Sequence, residues 1–358
     1  MVLPRFDPLC SDELACGTAF TGEERMKRKY ILLGVVSVIF LCTIILAIQF
    51  GSYPVRTGEL FAVIDAHING LVYPDGNADT IVWGIRLPRV LTAAMIGIAL
   101  SVSGALFQGI FRNPLVEPYI LGVSSGSAFG AALCIVYFPM ASKSLAAFLF
   151  AVVSMFLAYA LAYTKESVPV VRLILSGMIV SAVFTALLNF LKVAASDSKL
   201  REITFWTMGG FYTSEWTGAV RMTVIAGIGL FIACVSGWKL NVLAMGDQEA
   251  KTMGLNVGRM KFLLILVATF LTASSVAEAG IISWVGLMVP HAARMLIGPD
   301  HRYMIPFSAL LGGTFLVICD TLARTLIMGE LPVSIITSIL GAPYLIFLLR
   351  HNRKVYFE

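Results

Sequence analysis

The chain has 358 residues, of which 58% are hydrophobic and 13% are charged, and its formal net charge is +5. Soluble domains carry about 25% charged residues, so this composition excludes an ordinary soluble protein and indicates a membrane protein. The basic residues are dispersed along the chain rather than gathered on one face, so no nucleic-acid partner is predicted.

The N-terminal segment 1–25 is polar and lacks a helical period. The stretch MKRKYILLG, from Met26, has the form of a natural cytoplasmic start. We therefore divide the chain into an extension, 1–25, that is disordered or results from a mis-assigned start, and one transmembrane domain, 26–358. Cys10 and Cys16 lie in the extension and the other four cysteines lie in apolar runs, so no disulfide framework is predicted.

Apolar runs with few or no charges recur ten times, and about 20 residues suffice to span a bilayer. They predict an all-α, polytopic membrane protein with about ten transmembrane helices. Several runs are short, which is typical of helices packed inside a bundle or broken near its surface. The predicted spans are 31–50, 90–111, 118–141, 144–163, 173–191, 222–238, 262–277, 279–293, 303–319 and 331–349.

The basic residues predict the orientation, because cytoplasmic loops carry an excess of Lys and Arg. With the N-terminus inside, 17 of the 26 Lys and Arg residues fall on the cytoplasmic side. An even number of spans then places both termini in the cytoplasm. The chain is expected in the cell's cytoplasmic membrane, as a multi-pass protein in contact with lipid.

Three arginines are predicted at outer helix ends, against the usual bias of positive charge. Arg86 and Arg89, in IRLPRVL, precede the second span, and Arg324 ends the ninth. Their position indicates an acidic partner outside the membrane, held by ionic contacts on an exposed rim. Asp320 lies four residues before Arg324 and is expected to pair with it for structural reasons.

Small residues recur at four-residue spacing in two rows, which let helix backbones approach closely. We expect tight packing there, at Gly97, Ser101, Ala105 and Gly109, and at Gly122, Gly126 and Gly130. A faint internal echo also links ALFQGIFRNPLVEP (105–118) with IISWVGLMVPHAARM (281–295), as both place an aromatic residue two positions before a glycine and a proline shortly after it. Inverted repeats are common in transporters, but this local match does not establish one.

A third row becomes steadily more polar along the fifth span. Polar groups at membrane depth usually face another helix or a water-filled path, and both remain open for this row. Its members are Gly177, Ser181, Thr185 and Asn189.

One short charged segment, AMGDQEAKTMGLNV (244–257), stands between two apolar runs. Asp247 and Glu249 fall in the first turn of a predicted helix, where the helix dipole favours acids. Lys251 can pair with Asp247 at i, i+4, and Gly254 is placed to end the helix. Leu243, Ala250 and Met253 give it an apolar face. Lipid-surface helices prefer Lys and Arg on their polar face, so we expect this helix to dock in a groove of another protein.

Four segments together resemble the FecCD family of membrane permeases, which serve ATP-driven importers of iron-siderophores, haem and cobalamin. They are RLPRVLTAAMIGIALSVSGALFQGIFRNPLVEPYILGVSSGSAFGAAL, MGDQEAKTMGL, AGIISWVGLMVPHAARMLIGPDHR and ELPVSIITSILGAPYLIFLL. The resemblance runs from about residue 30 to the C-terminus. It implies a ten-helix subunit that pairs with a second permease copy, as a homodimer or a close heterodimer. It also implies two cytoplasmic ABC ATPase subunits and an extracytoplasmic substrate-binding protein as partners.

The resemblance also implies roles for individual residues. The coupling helix that sits in a cleft of the ATPase would comprise Gly246, Asp247, Glu249, Ala250, Lys251 and Gly254. Arg86, Arg89 and Arg324 would meet acidic residues of the binding protein. The path-lining helix would carry Gly177, Ser181, Thr185 and Asn189, and the inner gate would be Val170 and Val171, in VPVVR, which is apolar where some relatives are polar.

Two other classes of function are less well supported. A secondary transporter would need ionisable groups at mid-membrane, and none of the predicted spans has one at its centre. A membrane enzyme would need a catalytic constellation, and the four histidines lack acidic or cysteine partners at suitable spacing. No catalytic residue, cofactor or metal site is predicted, and without G-x-x-x-x-G-K-[ST] the energy must come from a separate ATPase. Iron-siderophore is the expected cargo because it is the commonest in the family, with cobalamin and haem as alternatives.

Overall fold

The computed structural model describes residues 22–51, 53, 55–71, 73–164, 168–326 and 329–351. Its regular elements are all helical in this part of the chain, as predicted. They are α1 (Gly22–Gln49), α2 (Thr57–Ile68), α3 (Gly76–Asp79), a π-helical segment (Thr80–Arg86), α4 (Leu87–Phe111), a 3₁₀ turn (Pro118–Leu121), α5 (Val123–Tyr137), α6 (Lys143–Ala162), α7 (Val170–Ala194), α8 (Asp197–Met208), α9 (Trp216–Val235), α10 (Gly237–Met245), α11 (Asp247–Thr252), α12 (Val257–Ala279), α13 (Val285–Ile297), α14 (His301–Thr325) and α15 (Val333–His351).

Ten of these helices match the ten predicted spans. Seven spans are long and apolar enough to cross a membrane: α1, α3 with α4, α6, α7, α9, α12 and α14. The other three, α5, α13 and α15, are shorter apolar helices. The prediction of a polytopic helical membrane protein with several short spans is therefore confirmed.

The helices alternate in direction, so the bundle has two ends. Helices α2 and α8 lie at one end, which we call the α8 end, and α10 and α11 lie at the other, the α11 end. Helix α1 begins at Gly22, four residues before Met26, and residues 1–21 of the predicted extension lie outside the described residues. Both the first and the last described helix have their chain-terminal ends at the α11 end.

Helix α4 lies at the centre of the bundle. Of its 25 residues, 22 are buried, which is typical of a helix surrounded by others. It packs against α9, α12, α13 and α14. A Cβ atom on Gly97 would lie 2.3 Å from the carbonyl oxygen of Gly312, and one on Gly104 would lie 1.8 Å from that of Gly286. Only glycine permits these backbone approaches. Gly97 belongs to the first small-residue row, and Ser101 of the same row lies against Gly312, so the packing predicted for that row is observed; Gly104 lies beside the row.

The second small-residue row brings α5 against α6. A Cβ atom on Gly126 would lie 2.6 Å from the carbonyl oxygen of Phe150, and one on Gly130 would lie 2.5 Å from that of Ala146. The hydroxyl of Ser127 donates to the carbonyl of Ala147 at 3.1 Å. This row is also a packing surface.

The two segments of the internal echo contact each other near the centre of the bundle. The Tyr119 hydroxyl donates to the Ile282 carbonyl at 2.8 Å, and the Glu117 carboxylate accepts from the Trp284 N–H at 3.2 Å. Trp284 has a positive φ of 75°. These contacts satisfy one carbonyl and one N–H of the non-helical residues 280–284, and polar backbone groups inside a bilayer need such partners. The eighth span therefore starts at Val285 and not at residue 279, and its 13 residues extend only about 20 Å.

Candidate functional site

The segment 244–257 contains the short helix α11, and a glycine marks each end of this helix. Gly246, with φ 147°, turns the chain between α10 and α11. At the other end the Gly254 N–H donates to the Lys251 carbonyl and the Leu255 N–H donates to the Ala250 carbonyl, both at 3.0 Å. This pattern is a Schellman motif with Gly254 in the left-handed conformation, φ 82°. Gly254 thus ends the helix where the sequence predicted.

The predicted pair between Asp247 and Lys251 is wrong. Both carboxylate oxygens of Asp247 instead accept from the Lys261 ammonium on α12, at 2.6 and 2.7 Å. Lys261 is only 7% exposed, and a buried ammonium needs a counter-charge more than an exposed one does. Lys251 is exposed, so its charge is available to a partner. Asp247 therefore fastens α11 to the bundle.

The apolar face predicted for this helix is largely used inside the chain. Leu243 and Ala250 are 1% and 0% exposed, so neither can enter another protein's groove. Met253 is 52% exposed, and Met245, which the sequence reasoning missed, is 65% exposed. Together with the exposed Glu249 and Lys251 they form what we call the α11 surface. Flexible methionines suit a surface that adapts to a partner.

A polar cluster at the α11 end joins α10 to the start of α14. The Asn241 amide donates to the Asp300 carboxylate at 2.7 Å, and its oxygen accepts from the His301 backbone at 2.9 Å. Because Arg302 hydrogen-bonds the carboxylate, with Asn241 adding to the effect, the pKa of Asp300 is lowered from its ordinary value. This link is stabilising above the ordinary carboxyl pKa and weakens only as the pH falls through the lowered one.

No role was predicted from the sequence for three residues of the α11 end, Asn241, Asp300 and Lys261. Asp300 could have been found, because an Asp just before an apolar helical run is a typical N-cap. Its carboxylate accepts from the Arg302 N–H at 3.1 Å. Asn241 and Lys261 offer no such signal, since their partners are distant in sequence.

The third polar row runs along α7 from a buried to an exposed position. A Cβ atom on Gly177 would lie 2.1 Å from the Ile120 carbonyl, so this glycine packs against the 3₁₀ turn. Ser181 is half-buried beside Gly122, whereas Thr185 and Asn189 are exposed. The row is therefore partly a packing surface and partly an open face. Val183, on the same helix, is 55% exposed and Val180 is 5% exposed.

The two predicted gate residues lie at the start of α7, at the α11 end. Val170 is half-buried against the core and Val171 is 68% exposed. Pro169 precedes them as the N-cap residue of the helix.

The expectation that three arginines form an exposed ionic rim is wrong. Arg86 and Arg89 are 5% and 6% exposed, and the side chain of Arg324 is 8% exposed. Arg86 donates to the backbone carbonyls of Ile48, Gln49 and Tyr53, and Arg324 donates to that of Ala47. These bonds join the π-helical segment and α14 to the end of α1 and the residues that follow it. The arginines are buried because their partners are distant in the sequence, which local spacing does not reveal.

Arg89 holds two carboxylates at the α8 end. Its Nε and Nη2 atoms donate to the buried Asp320 at 2.8 to 3.1 Å, and its Nη1 atom donates to Glu330 at 2.8 Å. The predicted pair of Asp320 with Arg324 is present at 3.8 Å, but it is longer than the Arg89 contacts. Asp320 is therefore structural, as expected, with Arg89 as its main partner.

Comparisons with known proteins agree with a helical membrane protein that transports a substrate. The FecCD transport family matches residues 39–351. The molybdate import system permease protein MolB of Haemophilus influenzae is 36% identical over 315 residues, covering 86% of this chain and 92% of MolB. The cobalamin import system permease protein BtuC of Halobacterium salinarum is 42% identical over 280 residues, covering 78% of this chain and 75% of BtuC.

A solved structure has the same fold over nearly the whole chain. It is described as an inward-facing conformation of a metal-chelate type ABC transporter, and it superposes with a TM-score of 0.80 at 34% identity. The superposition covers 90% of this chain and 99% of that one. From the family match, the relatives and the shared fold, the chain belongs to the FecCD transport family and is a multi-pass membrane permease subunit of the ABC importer type.

Proposed function

We propose that this chain forms, with a second permease copy, the translocation path of an importer that two cytoplasmic ABC ATPase subunits drive and an extracytoplasmic binding protein supplies. The α11 surface carries the proposal. A six-residue helix with a turn glycine before it and a Schellman motif after it, fastened by the Lys261 pair, is far more rigid than an ordinary loop. Rigidity of this kind suits an element that transmits force.

Within the proposed coupling segment the residues divide into two groups. Gly246, Asp247, Ala250 and Gly254 set the shape and position of α11, whereas Glu249 and Lys251 are exposed with Met245 and Met253. The exposed group would contact the ATPase, and both chain termini would share its cytoplasmic side. The Lys and Arg excess on that side supports this orientation in the cytoplasmic membrane.

The exposed face of α7 is the proposed wall of the path. Thr185 and Asn189 stand among exposed apolar side chains of the same helix. Exposing polar groups to lipid is costly, so a second copy and a water-filled path are the better cover for this face. Val170 and Val171, at the cytoplasmic start of α7, would form the inner gate.

The three arginines are proposed to attract the binding protein through their field and not through exposed contacts. Their charge of +3 is offset by −2 from Asp320 and Glu330, which leaves +1 in the cluster. Glu330, whose side chain is 43% exposed, competes with any external carboxylate for Arg89. Glu330→Gln should therefore strengthen association with an acidic binding protein at low salt, measured by surface plasmon resonance. If the binding protein associates equally with the variant and the wild type at every salt concentration, the arginines have no role in docking.

The proposed cargo is a metal chelate, with iron-siderophore first and cobalamin or haem as alternatives. Relatives named for hemin in Yersinia pestis and for iron(3+)-hydroxamate in Bacillus subtilis are 37% and 34% identical to this chain. The relative named for molybdate lies in the same range, so identity alone does not rank the cargoes.

Uptake by proteoliposomes that contain the full complex tests the cargo. Radiolabelled ferric hydroxamate, cobalamin, haem and molybdate would be offered in parallel, with ATP inside the vesicles. ATP-dependent accumulation of a metal chelate is the expected result. Accumulation of molybdate alone would overturn the chelate assignment, and uptake driven by a proton or sodium gradient without ATP would instead establish a secondary transporter.

A further inference from the structure

A groove follows the surface of the bundle between α9 and α12. Its mouth, a cavity of about 230 Å³ at the α8 end, is bordered by Arg221 on α9, by Ser274 and Glu278 on α12, and by the first turns of α6. A second cavity of about 410 Å³ lies below it. Ile225 and Phe270 line both cavities, so the two are adjacent and together form the groove. On this measure a cavity of about 10–15 Å³ holds one water molecule, so the groove has room for a ligand much larger than water.

The mouth contains one cation and one anion side by side. The Arg221 guanidinium donates to the Glu278 Oε2 atom. The side chain of Arg221 is 56% exposed and that of Glu278 is 10% exposed. The carboxylate lies directly over Gly218, where a Cβ atom would be 1.9 Å from its Oε1 atom. The charged groups at the mouth therefore form an ion pair with no net charge, in which the arginine is exposed and the carboxylate is buried.

Ser274 adds a buried hydroxyl that lacks a hydrogen-bond partner within the described part of the chain. It is 6% exposed, and it lies four residues before Glu278 on the same face of α12. Its neighbours Thr272 and Ser275 donate to the carbonyls of Ala268 and Leu271, four residues before them, as helical hydroxyls commonly do. The Ser274 hydroxyl makes no such bond and borders the mouth, so it is placed for a ligand.

The lower part of the groove is almost wholly apolar. Ile228 and Ile232 line it from α9, and Leu263 and Val267 line it from α12. From Arg221 to Ile232 is 11 residues, or about 17 Å of helix. One leaflet of a bilayer has a hydrocarbon depth of about 15 Å, half of the usual 30 Å. The groove thus has the length of one acyl chain, with its polar mouth at headgroup level.

We propose that this groove binds one phospholipid with a primary-amine headgroup from the leaflet at the α8 end. The phosphate would accept from Arg221 and Ser274, the ammonium would donate to Glu278, and an acyl chain would fill the apolar part. A neutral pair of opposite charges matches a zwitterion, whereas a lone arginine would favour an anionic lipid. A choline headgroup lacks N–H donors for the carboxylate. Trp216, at the start of α9, marks the same membrane interface.

Native mass spectrometry of the full-length protein, delipidated in mild detergent, tests the proposal. Phosphatidylethanolamine, phosphatidylcholine and phosphatidylglycerol with identical acyl chains would be titrated separately. We expect one phosphatidylethanolamine per chain, bound about tenfold more tightly than phosphatidylcholine. Equal affinity for these two lipids, or a preference for phosphatidylglycerol, would overturn the assignment.

Three variants locate the site, and one serves as the control. Glu278→Gln should abolish the discrimination between ethanolamine and choline, Arg221→Gln should weaken all three lipids, and Ser274→Ala should weaken them less. Arg201→Gln, an exposed arginine on α8 that lines neither cavity, should change nothing. Discrimination that survives Glu278→Gln would overturn the proposal. Because the comparison of headgroups uses the wild-type protein, a variant that fails to fold cannot decide the outcome.

Discussion

Arg89 is a buried arginine at the α8 end that bonds two carboxylates of very different exposure. It forms a bidentate contact with Asp320, which is 1% exposed, and a second contact with the half-exposed Glu330. Breaking a buried ion pair is costly because water cannot solvate the charge that remains, whereas an exposed pair contributes little to the free energy of unfolding. The two carboxylates should therefore differ sharply in their effect on stability.

Asp320→Asn should lower the free energy of unfolding by about 3–5 kcal/mol, because it leaves the buried guanidinium short of its main counter-charge. Glu330→Gln, the matched control on the same arginine, should cost only about 0.2–1 kcal/mol. Thermal or denaturant unfolding of the purified protein in detergent measures both. Equal stability of the two variants would contradict the structural role of Asp320.

At the scale of elements, α11 depends on one glycine for its end. Gly254 has φ 82°, and no atom lies within 4 Å of the position that a Cβ would take, so a side chain there would suffer only conformational strain. Gly258, inside α12, has ordinary helical geometry and an equally open position, 3.9 Å from its nearest neighbour. The two glycines form a matched pair for testing how far the cap matters.

Gly254→Ala should destabilise α11 by about 1–2 kcal/mol, the cost of a left-handed conformation for a residue with a Cβ. Gly258→Ala should be neutral or slightly stabilising, because alanine is the better helix former. Hydrogen exchange of the amides of residues 250–255 measures the difference. Equal protection in both variants would contradict the idea of a rigid, capped element.

The open face of α7 can be tested with single cysteines. Thr185 and Val183 are both exposed in the single chain. A difference in their labelling by a membrane-impermeant thiol reagent therefore shows which position faces water and which faces lipid, and it does not reflect burial within the chain. We expect rapid labelling of Thr185→Cys and at least about tenfold slower labelling of Val183→Cys, because thiolates form only where water solvates them. Val180→Cys, at a buried position, gives the baseline. Equal rates at 183 and 185 would return the polar row to a packing role.

At the scale of the whole molecule, the sequence predicted which helices exist better than it predicted what they touch. Apolar runs and the ends of helices are local, so the ten spans and the stop at Gly254 could be read directly. The partner of Asp247 could not, because local spacing favoured Lys251 while burial of Lys261, 14 residues away, required the carboxylate. The positions of the three arginines at helix ends are a local feature and were predicted correctly. Their exposure was predicted wrongly, because the main partners that bury them lie on other helices.

The proposed coupling of this permease to a separate ATPase through α11 is measured by ATP-driven uptake into proteoliposomes that contain the full complex. The variant Glu249→Ala, Lys251→Ala and Met253→Ala changes only exposed side chains and spares the Asp247 to Lys261 pair. It should insert and fold normally, yet lose ATP-driven uptake by about tenfold or more, as expected when a few central side chains carry most of an interface's energy. The control, Arg201→Ala on α8 at the opposite end, should transport as the wild type does. Wild-type uptake by the α11 variant, with normal stimulation of ATP hydrolysis, would contradict the account.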